Sequence, residues 1–497
     1  MIDNLSWLAV YSEIVLLVMG CVIALVDLGV TGRNRSVTHF LTLLTMGVVA
    51  GLEALYASSG STFYGWGNMV VSDSMGSWLK CFAAVTMMAC LVYGRPYAGD
   101  RDMLRGGELF SLSTFMLLGI FVMISANNFL VIYLGLELLT LSSYALVALR
   151  RDSATATEAA MKYFVLGAMA SGFLLYGLSM IYGATGTLDI GEVFKVINAG
   201  QVRHQVLVFG VVFIVSGLAF KLVTVPFHMW APDVYQGAPT VITLIISSAP
   251  KLAGFGIAMR LLVDALLPLA IDWQQMLAVL AVASLFVGNV IGTMQSNIKR
   301  MLAYSAISHM GFMFLGLMSG VANGAIDSMM AERAYSSAMF YVVTYVLTVV
   351  PAFGVVLLLA REGFESEEIA DFAGLNRRSP LYAGIMCVCM FSLAGIPPLV
   401  GFYAKLSVLE ALISSGGALH VSIAVYAVLM SVIGAFYYLR VVKVMYFDQP
   451  ITATTVSAPA DVRVVLTLNG ALVFLVGILP GGLMALCADA IVRTLAS

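Results

Sequence analysis

The sequence predicts an all-α polytopic membrane protein of about 14 transmembrane helices, with two inverted five-helix repeats that each contain a discontinuous helix. Three observations lead there. Hydrophobic residues fill 61% of the 497 positions and charged residues 10%, with a mean hydropathy of +0.98, far from the quarter-charged make-up of soluble domains. Apolar runs long enough to cross a bilayer follow one another along the whole chain, and two of them are interrupted by proline with a lysine in the same run. Lysine and arginine, finally, collect in alternate loops.

The runs fall at about 7–28, 37–58, 78–98, 107–126, 128–149, 156–183, 205–230, 240–266, 273–294, 299–319, 334–360, 380–415, 419–446 and 464–486, each near or above the roughly 20 residues a spanning helix needs. The start, Met1-Ile2-Asp3-Asn4-Leu5, lacks the basic segment of a signal peptide, so the run from Trp7 to Leu28 should stay as the first helix. Connections are mostly short, which makes neighbouring helices antiparallel and leaves no stretch for an extramembrane domain. The mixed apolar and polar segment 187–204 is expected to lie along the membrane surface.

Counting alternate loops places Arg33, Arg35, Arg95, Arg101, Arg105, Arg150, Arg151, Lys299, Arg300, Arg361, Arg377, Arg378, Arg440, Lys443 and Arg463 on one side, and only Lys195, Arg203, Arg333 and Arg493 on the other. By the positive-inside rule the first side is cytoplasmic and both termini face outward. Dropping one helix would scramble the bias after that point, so the split also supports the count.

A net charge of −2 with no basic stripe excludes nucleic-acid binding. Cys21, Cys81, Cys90, Cys387, Cys389 and Cys487 all lie in apolar runs without a paired spacing or a histidine nearby, so small core side chains are expected rather than disulfides, zinc ligands or an iron–sulfur site. There is no dinucleotide fingerprint and no metal or cofactor motif.

Five ionisable residues stand near the middle of spans: Glu137, Lys221, Lys251, His309 and Lys405. A charge at bilayer depth costs at least about 2.5–3.5 kcal/mol, so several in one chain point to ion or proton movement rather than to a single register-fixing pair. Two spans look broken. Pro226 and Pro232 flank His228 in the run that holds Lys221, and Pro397-Pro398 splits the overlong run that holds Lys405. Proline frees carbonyls that only a protein-lined, wet interior can satisfy, and paired discontinuous helices mark inverted-repeat transporters. Glu137 lies two spans before the first break and His309 two spans before the second. The division that follows is an N-terminal three-helix segment at 1–106, five-helix units at 107–266 and 267–446 (spans from 273), and a C-terminal helix in 447–497.

The chemistry can be argued from residue types. A lysine in low dielectric prefers to be neutral and a nearby carboxylate restores its charge, so motion of Glu137 relative to Lys221 would swing the lysine's proton affinity. Lys251 follows Pro250 and Ser247-Ser248, where a kink and hydroxyls can hold water; His309 accepts and donates protons near neutral pH; Lys405 lies beside the second break. A proton could step through these four in that order. Lys162, four residues after Glu158, reads equally as an i,i+4 surface pair or as a proton-entry residue. His228 either gates water or bonds a freed carbonyl. Lys80 and Arg260, near span ends, are expected to snorkel; Glu13 and Asp27 are explained by subunit contact or interfacial exposure, and His39, His204 and His420 fall in or near loops.

One stretch is more specific. Phe220-Lys221-Leu222-Val223-Thr224-Val225-Pro226-Phe227-His228-Met229-Trp230-Ala231-Pro232-Asp233-Val234-Tyr235-Gln236-Gly237-Ala238-Pro239-Thr240 resembles the signature of the antiporter-like subunits of respiratory complex I, and its ending from Asp233 to Pro239 is similar to the N-type branch rather than the M- or L-type. Supporting matches are Glu158-Ala159-Ala160-Met161-Lys162-Tyr163-Phe164, Tyr304-Ser305-Ala306-Ile307-Ser308-His309-Met310-Gly311, and Gly395-Ile396-Pro397-Pro398 followed by Gly401-Phe402 and Lys405. The likeness runs from about 105 to 445. Lys405 stands where M-type subunits carry a glutamate, and no sequence remains after Ser497 for the lateral helix of L-type subunits.

The resemblance implies a proton-translocating membrane-arm subunit of a type I NADH:quinone oxidoreductase in a bacterial inner membrane, with K- and M-type neighbours. It implies that NADH, FMN, iron–sulfur clusters and quinone belong to other subunits, and that this chain binds none of them. Two alternatives stay open: a subunit of a multi-subunit cation/proton antiporter or membrane-bound hydrogenase, and a non-pumping scaffold of the membrane arm.

Overall fold

A computed structural model describes residues 4–32, 34–200, 202–321, 328–360, 364–450 and 455–496; Met1 to Asp3, and Arg33 and Arg361 of the cytoplasmic set, lie outside them. Among the described residues the chain is almost wholly helical, as it must be where lipid offers the backbone no hydrogen bonds. Twelve helices are long and apolar enough to cross a membrane, and a shorter apolar one joins them.

The N-terminal segment holds α1 (Asn4–Leu8), α2 (Tyr11–Asp27), α3 (Ser36–Ser59) and α4 (Ser74–Asp100). Between α3 and α4 the chain makes a small hairpin, β1 (Phe63–Gly65) and β2 (Val70–Ser72), paired Phe63 to Ser72. That element was not expected; Gly67-Asn68 at positive φ make its turn, the residue types such a turn favours. Asp73 caps α4 by accepting from the Gly76 amide at 2.8 Å.

Next come α5 (Glu108–Ser125), α6 (Phe129–Val147), α7 (Ala154–Thr185), α8 (Ile190–Asn198), α9 (His204–Lys221), α10 (Trp230–Gly237), α11 (Thr240–Ser247) and α12 (Ala249–Ala258), the last running into a π-helical turn, Met259–Ala265. The single span expected at 240–266 is thus bent at Ser248. The span expected at 205–230 ends at Lys221, and 222–229 is irregular, with Val223 at φ +62. In segment 187–204, α8 buries Ile190, Val193 and Ile197 along one face.

A comparable succession follows: α13 (Ala270–Thr293), α14 (Ile298–Met318), α15 (Ser328–Leu359), the short α16 (Leu375–Arg378), then α17 (Pro380–Ala394) and α18 (Val400–Ser414) either side of a second break, and α19 (Ala418–Phe447). The expected run 464–486 is two helices, α20 (Ala460–Ile478) and α21 (Gly481–Leu495), parted at Pro480. The two successions share small features. Asn128, the cap of α6, forms a bridge with Asp189, and Asn297, the cap of α14, forms one with Glu368.

Close packing is set by glycines where helices meet backbone to backbone. A Cβ on Gly119 of α5 would lie 2.5 Å from the Leu139 amide of α6, and one on Gly288 of α13 would lie 2.7 Å from the Ser308 amide of α14. Such small-residue contacts are how helices associate when lipid supplies no hydrophobic drive between them. The apolar stretches of Thr240–Ala265 and Ile298–Met318 are wholly enclosed, and that of Ser328–Leu359 nearly so. These centre the molecule, while α3, α19 and α20 turn residues such as Phe40, Leu55, Val432, Phe436 and Leu468 outward, the lipid face expected of peripheral helices.

Several expectations are corrected here. Lys80 and Arg260 do not snorkel: Lys80 is 1% exposed and ion-paired with Glu13 and Glu53, and Arg260 is buried against Asp73 at 2.8 Å and Asp264 at 3.1 Å. Carboxylates on neighbouring helices remove the need to reach for water. Glu13 and Asp27 are therefore internal rather than interfacial; Asp27 accepts from Thr38, Arg35 and the Gly107 amide. His39 lies in the first turn of α3, near the preceding loop as expected, but buried. Cys21 is exposed on α2 rather than in the core.

Candidate functional site

The two breaks and the enclosed helices between them position all five ionisable residues. Lys221 is the last residue of α9, and its buried Nζ has no hydrogen-bond partner among the described residues. The helix stops there because Val223 turns left-handed and Pro226 follows. The loose end is then tied down. Trp230 Nε1 donates to the Phe220 carbonyl at 3.1 Å, the Thr224 amide donates to Ala219 at 2.8 Å, and the Val225 amide donates to Ser284 Oγ of α13 at 2.9 Å. These bonds replace part of the ladder the break removes.

Glu137 projects from α6 half-buried, with Oε1 lacking a hydrogen-bond partner among the described residues, and it is the carboxylate whose charge acts on Lys221. Lys251 is buried on α12; its Nζ lies 5.9 Å from the centroid of the Trp230 ring and 3.5 Å from the Lys221 carbonyl oxygen. A cation at that ring distance gains from the quadrupole, while the 3.5 Å contact is at the outer limit of a hydrogen bond.

His309 is enclosed on α14. Its Nδ1 is 2.7 Å from Tyr341 Oη and its Nε2 3.2 Å from Tyr438 Oη, so both ring nitrogens have a hydroxyl that can give or take a proton. Tyr345 packs against the same ring with centroids 5.2 Å apart. Between His309 and the second break is a cavity of about 10 Å³ lined by Tyr341, Thr344, Tyr345, Thr348 and Ser392, room for about one water. Tyr345 Oη and Tyr235 Oη are buried without partners among the described residues; Tyr235 meets Trp230, over whose ring Lys251 Nζ lies, and Tyr345 packs on His309. One buried hydroxyl thus stands on the Lys251 side and another on the His309 side.

Lys405 sits on α18 facing the other side of its break. Its Nζ donates to the Leu393 carbonyl at 3.1 Å, the Ala394 carbonyl at 2.9 Å and Ser431 Oγ at 2.7 Å, and lies 5.4 Å from the Phe312 ring centroid. The carbonyls are those released where α17 ends. Gly395 closes that helix at φ +85, a conformation open to glycine, and a Cβ there would also touch Lys405.

The chain's overall likeness can now be set beside this geometry. Residues 126–433 match the family described as NADH:quinone oxidoreductase/Mrp antiporter, transmembrane. A relative from Polaromonas naphthalenivorans (strain CJ2), named NADH-quinone oxidoreductase subunit N, is 68% identical over 493 residues, covering 99% of this chain and 98% of the relative. The chain belongs to the NADH-quinone oxidoreductase subunit N family. Another subunit N, from Herminiimonas arsenicoxydans, is 57% identical over the full length of both. Among solved structures, a chain of respiratory complex I from Thermus thermophilus is 28% identical with a TM-score of 0.77, covering 96% of this chain and 99% of that one. A chain of the Mrp complex from Dietzia sp. DQ12-45-1b, at 18% identity and a TM-score of 0.83 over 98% of this chain and 96% of that one, shares the fold.

In this member of the subunit N family, the secondary candidates lie at the rim. Lys162 is about half exposed and pairs with Glu158 at 2.8 Å and with Asp233 at 3.1 Å, while Arg300 takes the other Asp233 oxygen at 2.7 Å. Burial pushes the Asp233 carboxyl up, but Arg300 and Lys162 outweigh it and hold the group below its ordinary value. Lys162 therefore belongs to a strap joining α7, α10 and α14. His228 stands in the first break, half-buried, interacting with the Pro226 backbone while its Nδ1 has no hydrogen-bond partner among the described residues. Tyr341, Tyr345, Tyr438 and Ser431 were missed from the sequence. Tyr341 and Tyr345 carry a readable signal, since i,i+4 hydroxyls on an apolar helix share one face; Tyr438 and Ser431 have none, because only the fold brings α19 to His309 and Lys405.

Proposed function

We propose that the chain carries protons across the membrane as a membrane-arm subunit of a type I NADH:quinone oxidoreductase, through Glu137, Lys221, Lys251, His309 and Lys405. The observation that supports this most is Lys221: an enclosed amine with no hydrogen-bond partner among the described residues, at the end of an interrupted helix and within the field of one half-buried carboxylate. A structural lysine would be expected to be paired, as Lys80 is. An unpaired one answers to whatever moves Glu137.

When Glu137 is near, Lys221 holds a proton; when Glu137 is drawn away, the amine gives it up toward Lys251. Tyr235 and Tyr345 carry it to His309, and the hydroxyl-lined cavity passes it to Lys405. The carbonyls and Ser431 at the second break hold the proton as an ammonium until release. Moving it against the membrane potential costs about 2.3 kcal/mol per 100 mV, which is supplied by quinone reduction in other subunits; NADH, FMN, iron–sulfur clusters and quinone are assigned to them. The charge asymmetry of the loops supports an orientation with both termini periplasmic, and the transport proposed is from cytoplasm to periplasm across a bacterial inner membrane. K- and M-type subunits are the neighbours this reading assigns.

The same reading divides the chain into 1–106, 107–266, 267–446 and 447–497, with the central pair as inverted repeats. The matching Asn128–Asp189 and Asn297–Glu368 bridges support it: by the loop-charge assignment one pair lies at the outer face and the other at the inner. The test is to tag the chain, solubilise native membranes gently and follow inhibitor-sensitive NADH:quinone reductase activity. Co-purification is expected; a chain that purifies free of redox partners but exchanges cations for protons in vesicles would transfer the proposal to the antiporter class.

A further inference from the structure

Away from the lysine chain, three helices of the N-terminal segment enclose a second set of charges. Lys80 Nζ, on α4, donates to Glu13 Oε1 of α2 at 2.9 Å and to Glu53 Oε1 of α3 at 3.1 Å, and lies 5.5 Å from the Phe121 ring centroid. Lys80 and Glu53 are each 1% exposed and Glu13 is 7% exposed. Two carboxylates against one ammonium leave one negative charge in excess. Among the described residues no second cation pairs with either carboxylate, and the buried Arg260 is engaged by Asp73 and Asp264. An unbalanced charge in so dry a place is costly enough that a group gives up its charge instead.

We propose that Glu13, Glu53 and Lys80 form a proton-binding site separate from the Glu137–Lys405 chain, holding one exchangeable proton on Glu53. The hydrogen bonds choose the carrier. Glu13 Oε1 accepts from both Lys80 and Ser125 Oγ, the latter at 2.6 Å, whereas among the described residues Lys80 is the one donor bonded to Glu53, the Ser12 hydroxyl standing beside it without a formed bond. Donors favour the ionised form, so Glu13 keeps its charge and Glu53 takes the proton. Oε2 of Glu53, like that of Glu13, is buried without a hydrogen-bond partner among the described residues; the one on Glu53 lies beside the Ser12 hydroxyl and takes that proton. Exchange is with the end of the bundle that carries the β1–β2 hairpin. Glu13 and Lys80 lie in the first turns of their helices and Glu53 in the last turns of α3. The other titratable groups there are Tyr11, which is exposed, Tyr56, which is half-buried, and Cys81. Release is a simple dissociation, Glu53–COOH to carboxylate and a proton taken by water.

The test is infrared spectroscopy of the whole purified complex, wild type against E53Q, in H2O and D2O. The expected result is a carbonyl-stretch band of one protonated carboxylic acid in the wild type, shifted in D2O and absent from E53Q. Should E53Q fail to assemble, E13Q serves equally, because Glu53 must then ionise to balance Lys80 and the same band is lost. A band that neither substitution removes, or one insensitive to D2O, overturns the proposal; so does a band abolished by added Na⁺, which would make the site a sodium site.

Discussion

Replacing Lys405 separates its two duties, holding the second helix break and carrying a proton. Lys405→Ala removes three hydrogen bonds, two of them to the Leu393 and Ala394 carbonyls that α17 can no longer satisfy. Each buried acceptor left unpaired costs about 1–3 kcal/mol, so the variant should lose roughly 2–6 kcal/mol from the packing of α17 on α18. Lys405→Arg keeps donors within reach of the same carbonyls but carries a group that does not deprotonate in proteins. The expected outcome is that the arginine variant assembles and oxidises NADH, yet pumps fewer protons per electron in proteoliposomes, while the alanine variant also loses thermal stability. A Lys405→Arg complex that pumps with the wild-type ratio would refute proton carriage by this residue. An alanine variant of unchanged melting temperature would refute its role in closing the break.

Three further outcomes follow from the geometry. Glu137→Gln removes the carboxylate that governs Lys221 and should slow proton transfer about tenfold or more, since each ~1.4 kcal/mol is a factor of ten; time-resolved proton uptake in assembled complex measures it, and an unchanged rate argues against the switch. Gly135→Ala would place a Cβ 2.6 Å from the Met123 amide, forcing α5 and α6 apart at about 1–3 kcal/mol and shifting Glu137, so both melting temperature and pumping should fall. Glu365, outside the spans, is pushed up by burial but held below its ordinary value by hydrogen bonds from Arg101 at 2.9 Å and Tyr97 at 2.8 Å. Its contribution is present above the unfolded carboxyl value near ~4.3 and is lost as pH falls through the lower folded one. Melting curves below pH 5 should therefore be steeper in pH for the wild type than for E365Q, and parallel curves would contradict the assignment.

What was legible in the sequence were features that leave a local mark. Spans, breaks and the five central ionisable residues stand out because lipid forbids charge and proline forbids a continuous ladder. What was not legible depends on partners brought from far along the chain. Lys80 reads as a span-end cation until Glu13 and Glu53 are packed around it, and Glu53 reads as a residue of an ordinary run until its helix is placed. The hairpin at 63–72 is too short to show a strand period. Tyr438 and Ser431 become partners of His309 and Lys405 only because α19 returns to the enclosed helices.

The contrast between the buried lysines bears directly on the proposed direction of transfer. Lys80 has two carboxylates, Lys405 has two carbonyls and a hydroxyl, Lys251 has an aromatic face and one distant carbonyl, and Lys221 has no hydrogen-bonding partner among the described residues. Acceptors stabilise an ammonium in proportion to their number and charge. From Lys221 through Lys251 to Lys405 the set of acceptors grows, which in this conformation inclines a proton toward the second break. Reversing that incline requires Glu137 to approach Lys221 or the carbonyls at the second break to turn away. Both events are movements at helix interruptions, where the backbone lacks its ladder and resists least.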